Sequence, residues 1–62
     1  MLRTIKSHKF QEEISFYTED IEWNENRGTM TAPGIGDETG HEYDVILDED
    51  GKVIRDFKLH NT

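Results

Sequence analysis

Hydrophobic and polar residues alternate most regularly in the last third of the chain. Tyr43, Val45 and Leu47 alternate with Glu42, Asp44 and Asp48, and Val53, Phe57 and Leu59 resume the pattern after Glu49-Asp50-Gly51. Successive side chains of a strand point to opposite faces, so this predicts a β-hairpin with one apolar face. A three-residue loop, Glu49–Gly51, with Gly51 in the left-handed conformation of a bulged turn, pairs Asp48 with Lys52. That register sets Leu47 against Val53 and Tyr43 against Phe57 on one face. On the other it sets Ile46 against Ile54 and Glu42 against Lys58. A two-residue Asp50-Gly51 turn would set Val45 against Asp56 and Tyr43 against Lys58, scattering the apolar set, so the three-residue loop is preferred.

A second hairpin is expected over 20–32. Glu25-Asn26-Arg27-Gly28 has the residues of a four-residue connection, pairing Trp23 with Met30 and Ile21 with Ala32. The following Pro33–Gly40 stretch holds one proline and three glycines and reads as a loop, the expected seat of mobility. Segment 9–23 fits two periods. Phe10, Ile14, Tyr17 and Ile21 form one stripe of an amphipathic helix, but that helix would strand Phe16 and Trp23 on its far side. A strand through Ile14 and Phe16, a break near Glu19-Asp20 and a new strand through Ile21 and Trp23 use the same residues and suit their β propensity, and this reading is preferred. Leu2–Lys6 adds an N-terminal strand with Leu2 and Ile5 as candidate core residues. The expected fold is mostly β, a small antiparallel sheet or barrel of about five strands in a single domain over 1–62. The alternative is an α+β fold with one helix at 9–23 packed on the sheet.

The size sharpens the picture. With 62 residues, 32% of them hydrophobic, and no cysteine, the chain buries a small core with no disulfide to help it, and a substrate-enclosing architecture is not expected. The lack of cysteine also excludes thiolate metal sites and cysteine nucleophiles. The longest apolar run, Val45-Ile46-Leu47, is far short of a membrane span, and the N-terminus has no apolar signal core, so a cytoplasmic protein without membrane contact is expected.

Charge is the most informative feature. The chain has 14 acidic and 7 basic residues, a net charge of −7, and they are segregated. Residues 1–9 carry Arg3, Lys6 and Lys9 with no acid, whereas 10–26 and 37–50 carry acids and no Lys or Arg. Such a surface repels phosphate backbones, so direct nucleic-acid binding is not expected, and it attracts basic protein surfaces.

No motif adds chemistry. Asp44, Asp48 and Asp50-Gly51 only superficially resemble a calcium loop, because Ile46 and Phe57 occupy positions that would have to ligate. Gly34, Gly36 and Gly40 miss the dinucleotide spacing, with Thr39 where the third glycine belongs, and no phosphate-loop lysine follows. His41 falls opposite Leu59 in the predicted hairpin, next to His60, which is too little for a zinc site. With no nucleophile–base constellation either, neither enzymatic activity nor a cofactor is expected.

The leading expectation is a non-enzymatic interaction protein whose acidic middle occupies a basic, nucleic-acid-binding site on another protein by charge mimicry. Asp20, Glu22, Glu42, Asp44, Asp48, Glu49 and Asp50 are the candidate contacts. The alternative is an assembly module acting as a homodimer, with Ile46 and Ile54 as the apolar contact on the less buried sheet face.

Overall fold

The strands expected from the alternation form one antiparallel sheet, curved into a half-barrel, in the computed structural model, which describes residues 1–59. The strands are β1 (Leu2–Ser7), β2 (Glu12–Tyr17), β3 (Glu22–Asn24), β4 (Thr29–Gly36), β5 (Glu42–Leu47) and β6 (Val53–Lys58). Their spatial order is β1-β2-β4-β5-β6, with short β3 also paired to β4. No helix among the described residues is long and apolar enough to cross a membrane.

Segment 9–23 takes the strand reading, and the helix alternative is not adopted. As a strand, β2 turns Glu12, Ile14 and Phe16 to the interior together, whereas a helix would have separated Phe16 from Ile14. A 3-10 turn over Thr18–Asp20 makes the break expected near Glu19-Asp20. The β3–β4 hairpin has the predicted register, Trp23 opposite Met30, and Gly28 supplies the positive φ of its turn. Its ladder stops at Glu22 opposite Thr31 and does not reach the expected Ile21–Ala32 pair. Ile21 instead follows the 3-10 turn and packs on the core.

The expected Pro33–Gly40 loop is half strand. Residues 33–36 belong to β4, the central strand, which pairs with β5 on one edge and with β3 and then β2 on the other. Proline is tolerated because of where it lies. The amide of Gly36 bonds to His41 O and that of Asp37 to Glu13 O. By alternation, position 33 faces the β3/β2 edge, in the gap where neither strand pairs with it. The glycines are there for room. A Cβ on Gly34 would lie 2.7 Å from Ile14 Cγ2, and one on Gly36 would lie 2.5 Å from Glu12 Oε1.

The β5–β6 hairpin begins as predicted and then departs. Asp48 N donates to Lys52 O, Gly51 has φ +83°, and Leu47 sits opposite Val53. A bulge at Ile54 then shifts the register by one, so Ile46 faces Arg55 and not Ile54, and Tyr43 faces Lys58 and not Phe57. Leu59 N bonds to Glu42 O. Glu42 therefore does not face Lys58, nor His41 Leu59, and His60 lies outside the described residues. The shift costs β6 its expected inner aromatic: Phe57 turns outward and Asp56 inward, opposite Val45.

The core is Ile14, Phe16, Ala32, Tyr43, Val45 and Leu47, with Ile5, Phe10, Ile21, Met30 and Val53 packed against it. Fully burying one of the large aliphatic or aromatic side chains stabilises by about 1.5–3 kcal/mol, so these few set the stability of so small a domain. Leu2 is not among them. It lies three residues from Ile5, hence on the opposite face of β1, and is 54% exposed.

Candidate functional site

Residues directly opposite each other in a ladder share a face. The pairs Glu22–Thr31–Ile46–Arg55 and Pro33–Asp44–Phe57 therefore put all seven side chains on the outer face of the sheet. Two adjoining depressions occupy this face, and Thr31 lines both.

The first is acidic. Glu19, Asp20, Glu22 and Asp44 surround Thr31 and Pro33 in a cleft of about 390 Å³. The 3-10 turn brings Glu19 and Asp20 to it, β3 brings Glu22, and β5 brings Asp44 from across β4. Three of the seven carboxylates singled out in the sequence are thus assembled, although Asp44 lies far from the other two along the chain. Glu19, which sequence reasoning passed over, joins them, with its carboxylate taken up by the Met1 ammonium and the Thr18 hydroxyl.

The second is largely apolar. Ile46, Ile54 and Phe57 line an open groove of about 700 Å³, joined by Trp23, whose ladder partner Met30 lies on the other face, and by Glu25, Arg27 and Arg55. Asn24 Nδ2 donates to Thr31 Oγ1 at 2.6 Å, tying β3 to β4 along its floor. Trp23 is 52% exposed, Ile54 49% and Phe57 45%. Ile46 and Ile54, expected to meet as a cross-strand pair, meet here as neighbours in one groove. The bulge that breaks their pairing also turns Phe57 and Arg55 outward. Trp23 and Phe57 escaped notice as site residues because their alternation read as core.

The remaining predicted carboxylates are elsewhere. Glu42 lies at the start of β5 opposite exposed Ile35. Asp48, Glu49 and Asp50 form the β5–β6 turn, where Asp48 Oδ1 accepts from the amides of Asp50 and Lys52, both at 2.9 Å. Asp48 is thereby a structural acceptor. Glu49 reaches toward the β3–β4 turn, its Oε1 3.6 Å from where a Cβ on Gly28 would sit.

Among the described residues one charged side chain is buried. Glu12 is 4% exposed, in phase with Ile14 and Phe16 on β2. Its Oε2 accepts from the Tyr43 hydroxyl at 2.5 Å and the Thr39 hydroxyl at 2.9 Å, and its Oε1 accepts from the amides of Glu38 and Thr39 at 3.3 Å. The Tyr43 bond most of all, with Thr39 and the amides helping against burial, holds the Glu12 carboxyl below its ordinary value. The same bond, with burial, pushes the Tyr43 hydroxyl up to about 12. With every lone pair engaged and Gly36 against the carboxylate, Glu12 is a clamp on the β4–β5 connection. The loop expected to be mobile is thereby pinned at Glu38 and Thr39.

No group of three or more His, Cys, Asp or Glu positioned to hold a metal ion occurs among the described residues. Comparison with protein-family models, with curated proteins and with solved structures finds no match to this chain.

Proposed function

We propose that this chain is a non-enzymatic interaction protein that captures a cationic surface of another protein through the outer face of its sheet. The observation that carries the reading is the adjacency on that face of a carboxylate-lined cleft, Asp20, Glu22 and Asp44, and an exposed apolar groove, Ile46, Ile54 and Phe57 with Trp23 at its border. Carboxylates steer a basic partner in and select it, while desolvated aromatic and aliphatic anchors supply most of the affinity. The finer reading is charge mimicry: the carboxylates stand where phosphates would lie, and the protein inhibits a nucleic-acid-binding partner. Strand spacing of about 3.3 Å per residue supports that reading for Glu42 and Asp44, next but one to each other along β5.

A second reading has its own observation. Arg27 and Arg55 in the groove adjoin the acidic cleft, so the face is self-complementary, and a two-fold axis would bring the arginines of one copy to the carboxylates of the other. The protein would then act as a homodimeric assembly module through Ile46 and Ile54.

One experiment separates them. The immobilised protein is exposed to cell extract at low and raised salt, and each retained protein is purified and tested for release of its bound nucleic acid. The expected result is a discrete, salt-sensitive partner that releases nucleic acid stoichiometrically and is lost with Asp20→Asn/Glu22→Gln/Asp44→Asn. Retention indifferent to those substitutions counts against the cleft. A sedimentation mass that doubles with concentration, and returns to one chain in Ile54→Ser, selects the homodimer.

A further inference from the structure

The half-barrel is open along one seam, where β1 and β6 face each other with no ladder between them. Two side-chain bonds span it, Arg3 Nη1 to Gly51 O at 2.8 Å and Ser7 Oγ to Asp56 Oδ1 at 3.2 Å. Among the described residues, the main chain on both sides has no partner within the sheet. Met1 O accepts from Thr18 N on the β2 side, so by alternation the N–H and C=O groups of Leu2, Thr4 and Lys6 point into the seam. Leu59 N bonds to Glu42 O, so those of Asp56 and Lys58 point into it from the other side.

Between these edges lies a groove of about 530 Å³, lined by Ile5, Lys6, His8 and Lys9 on one wall and by residues 53–57 on the other. Its charge reverses that of the molecule. In a chain with 14 acidic and 7 basic residues, the groove holds Lys6, Lys9, Arg55 and a histidine against one carboxylate, Asp56, which the Ser7 hydroxyl engages. Ile5 and Val53, both packed on the core, supply its apolar surface together with the more exposed Ile54 and Phe57.

We propose that this seam receives an extended acidic segment of a partner protein, added as a strand to the free edge of β1. Strand addition gives Leu2, Thr4 and Lys6 the main-chain bonds they lack, and specificity comes from alternate side chains. Carboxylates at every second position of the segment meet Lys6, Lys9 and Arg55, and the intervening apolar residues meet Ile5 and Val53. Entry exchanges the Arg3–Gly51 and Ser7–Asp56 side-chain bonds for a main-chain ladder. An oligonucleotide is also anionic and extended, but it has no amide ladder to offer the free edge of β1.

The test uses a labelled peptide of alternating glutamate and valine, long enough to span β1, titrated against the full chain by fluorescence anisotropy and amide NMR. Saturable, salt-sensitive binding is expected, with shifts on the amides of Leu2, Thr4 and Lys6, weakened about tenfold in Lys6→Gln/Lys9→Gln/Arg55→Gln. A peptide N-methylated on the ladder-forming amides should not bind. Lys6 and Lys9 are exposed, so the variant should keep its fold, and the N-methylated peptide decides the question on the unaltered protein if it does not. The proposal is overturned by absence of saturable binding, or by equal binding of the N-methylated peptide or a lysine–valine peptide. Tighter binding of an oligothymidylate would also overturn it. Shifts confined to Trp23, Asn24 and Thr31, which line the outer groove and not the seam, would transfer the peptide to the outer face and reject the seam.

Discussion

The hydroxyl of Tyr43 donates a 2.5 Å hydrogen bond to Oε2 of Glu12, joining the middle of the sheet to the start of β2 through a buried carboxylate. Below its ordinary pKa in the folded chain, Glu12 releases its proton more readily there than in the unfolded chain. Its stabilisation is present above the unfolded value of 4.5 and is lost as pH falls through the lower folded value. Thermal unfolding followed from about pH 6 to pH 3 should show this acid limb. Glu12→Gln should be less stable than the parent at neutral pH and should lose less on acidification. An unchanged acid limb in the variant would mean that other carboxylates carry it.

Tyr43 has the opposite sign. Its neutral form is favoured in the folded chain, so its contribution is complete below the unfolded value of 10.0 and is lost as pH rises toward about 12. A spectrophotometric titration should contain a late tyrosinate step that is missing in Tyr43→Phe, and unfolding of the parent should accompany that step.

Gly36→Ala should destabilise by about 1–3 kcal/mol, the usual cost of overpacking, because its Cβ would press on the Glu12 carboxylate. Gly34→Ala should fall in the same range, of about 1–3 kcal/mol, against Ile14 and Val45. Urea unfolding measures both. Costs near zero would mean that Glu12 and Ile14 move aside freely.

At the β5–β6 turn, Asp48→Ala should cost about 1 kcal/mol for two lost acceptor bonds, and Asp48→Asn much less, since the amide oxygen still accepts. Gly51→Ala, at φ +83°, should cost a further amount of about 1 kcal/mol. If Asp48→Asn weakens partner capture at unchanged stability, the charge at this turn contributes to binding as well as shape.

Phe57→Ser and Ile54→Ser should each change stability by no more than about 1 kcal/mol, since both side chains are half exposed on the outer face. A loss of several kcal/mol from Phe57→Ser in urea would return Phe57 to the core and, with it, the unshifted hairpin register.

Most of the strands are legible because alternation is a local property. Ile14 and Phe16, Trp23 opposite Met30, and Tyr43, Val45 and Leu47 could be placed from their neighbours and from the turns between them. Residues 33–36 could not, since proline and glycine usually break strands. Only the size of Ile14 and Glu12, packed across Gly34 and Gly36, explains why the central strand is built from them. Glu12 left a trace in the sequence: it stands in phase with Ile14 and Phe16, where a carboxylate is out of place unless something buried receives it.

By itself, then, the sequence determined that this is a small, mostly β, acidic chain with two tight hairpins, because turn residues and period-two alternation act over a few neighbouring positions. Which side chains share a face was decided only in three dimensions. A single bulge at Ile54 reversed the faces of Arg55, Asp56 and Phe57, and the place of β4 between β3 and β5 set Glu22 and Asp44 around one cleft. Register between strands follows from packing against partners remote in the chain, and one residue of slip moves every side chain beyond it to the other side of the sheet.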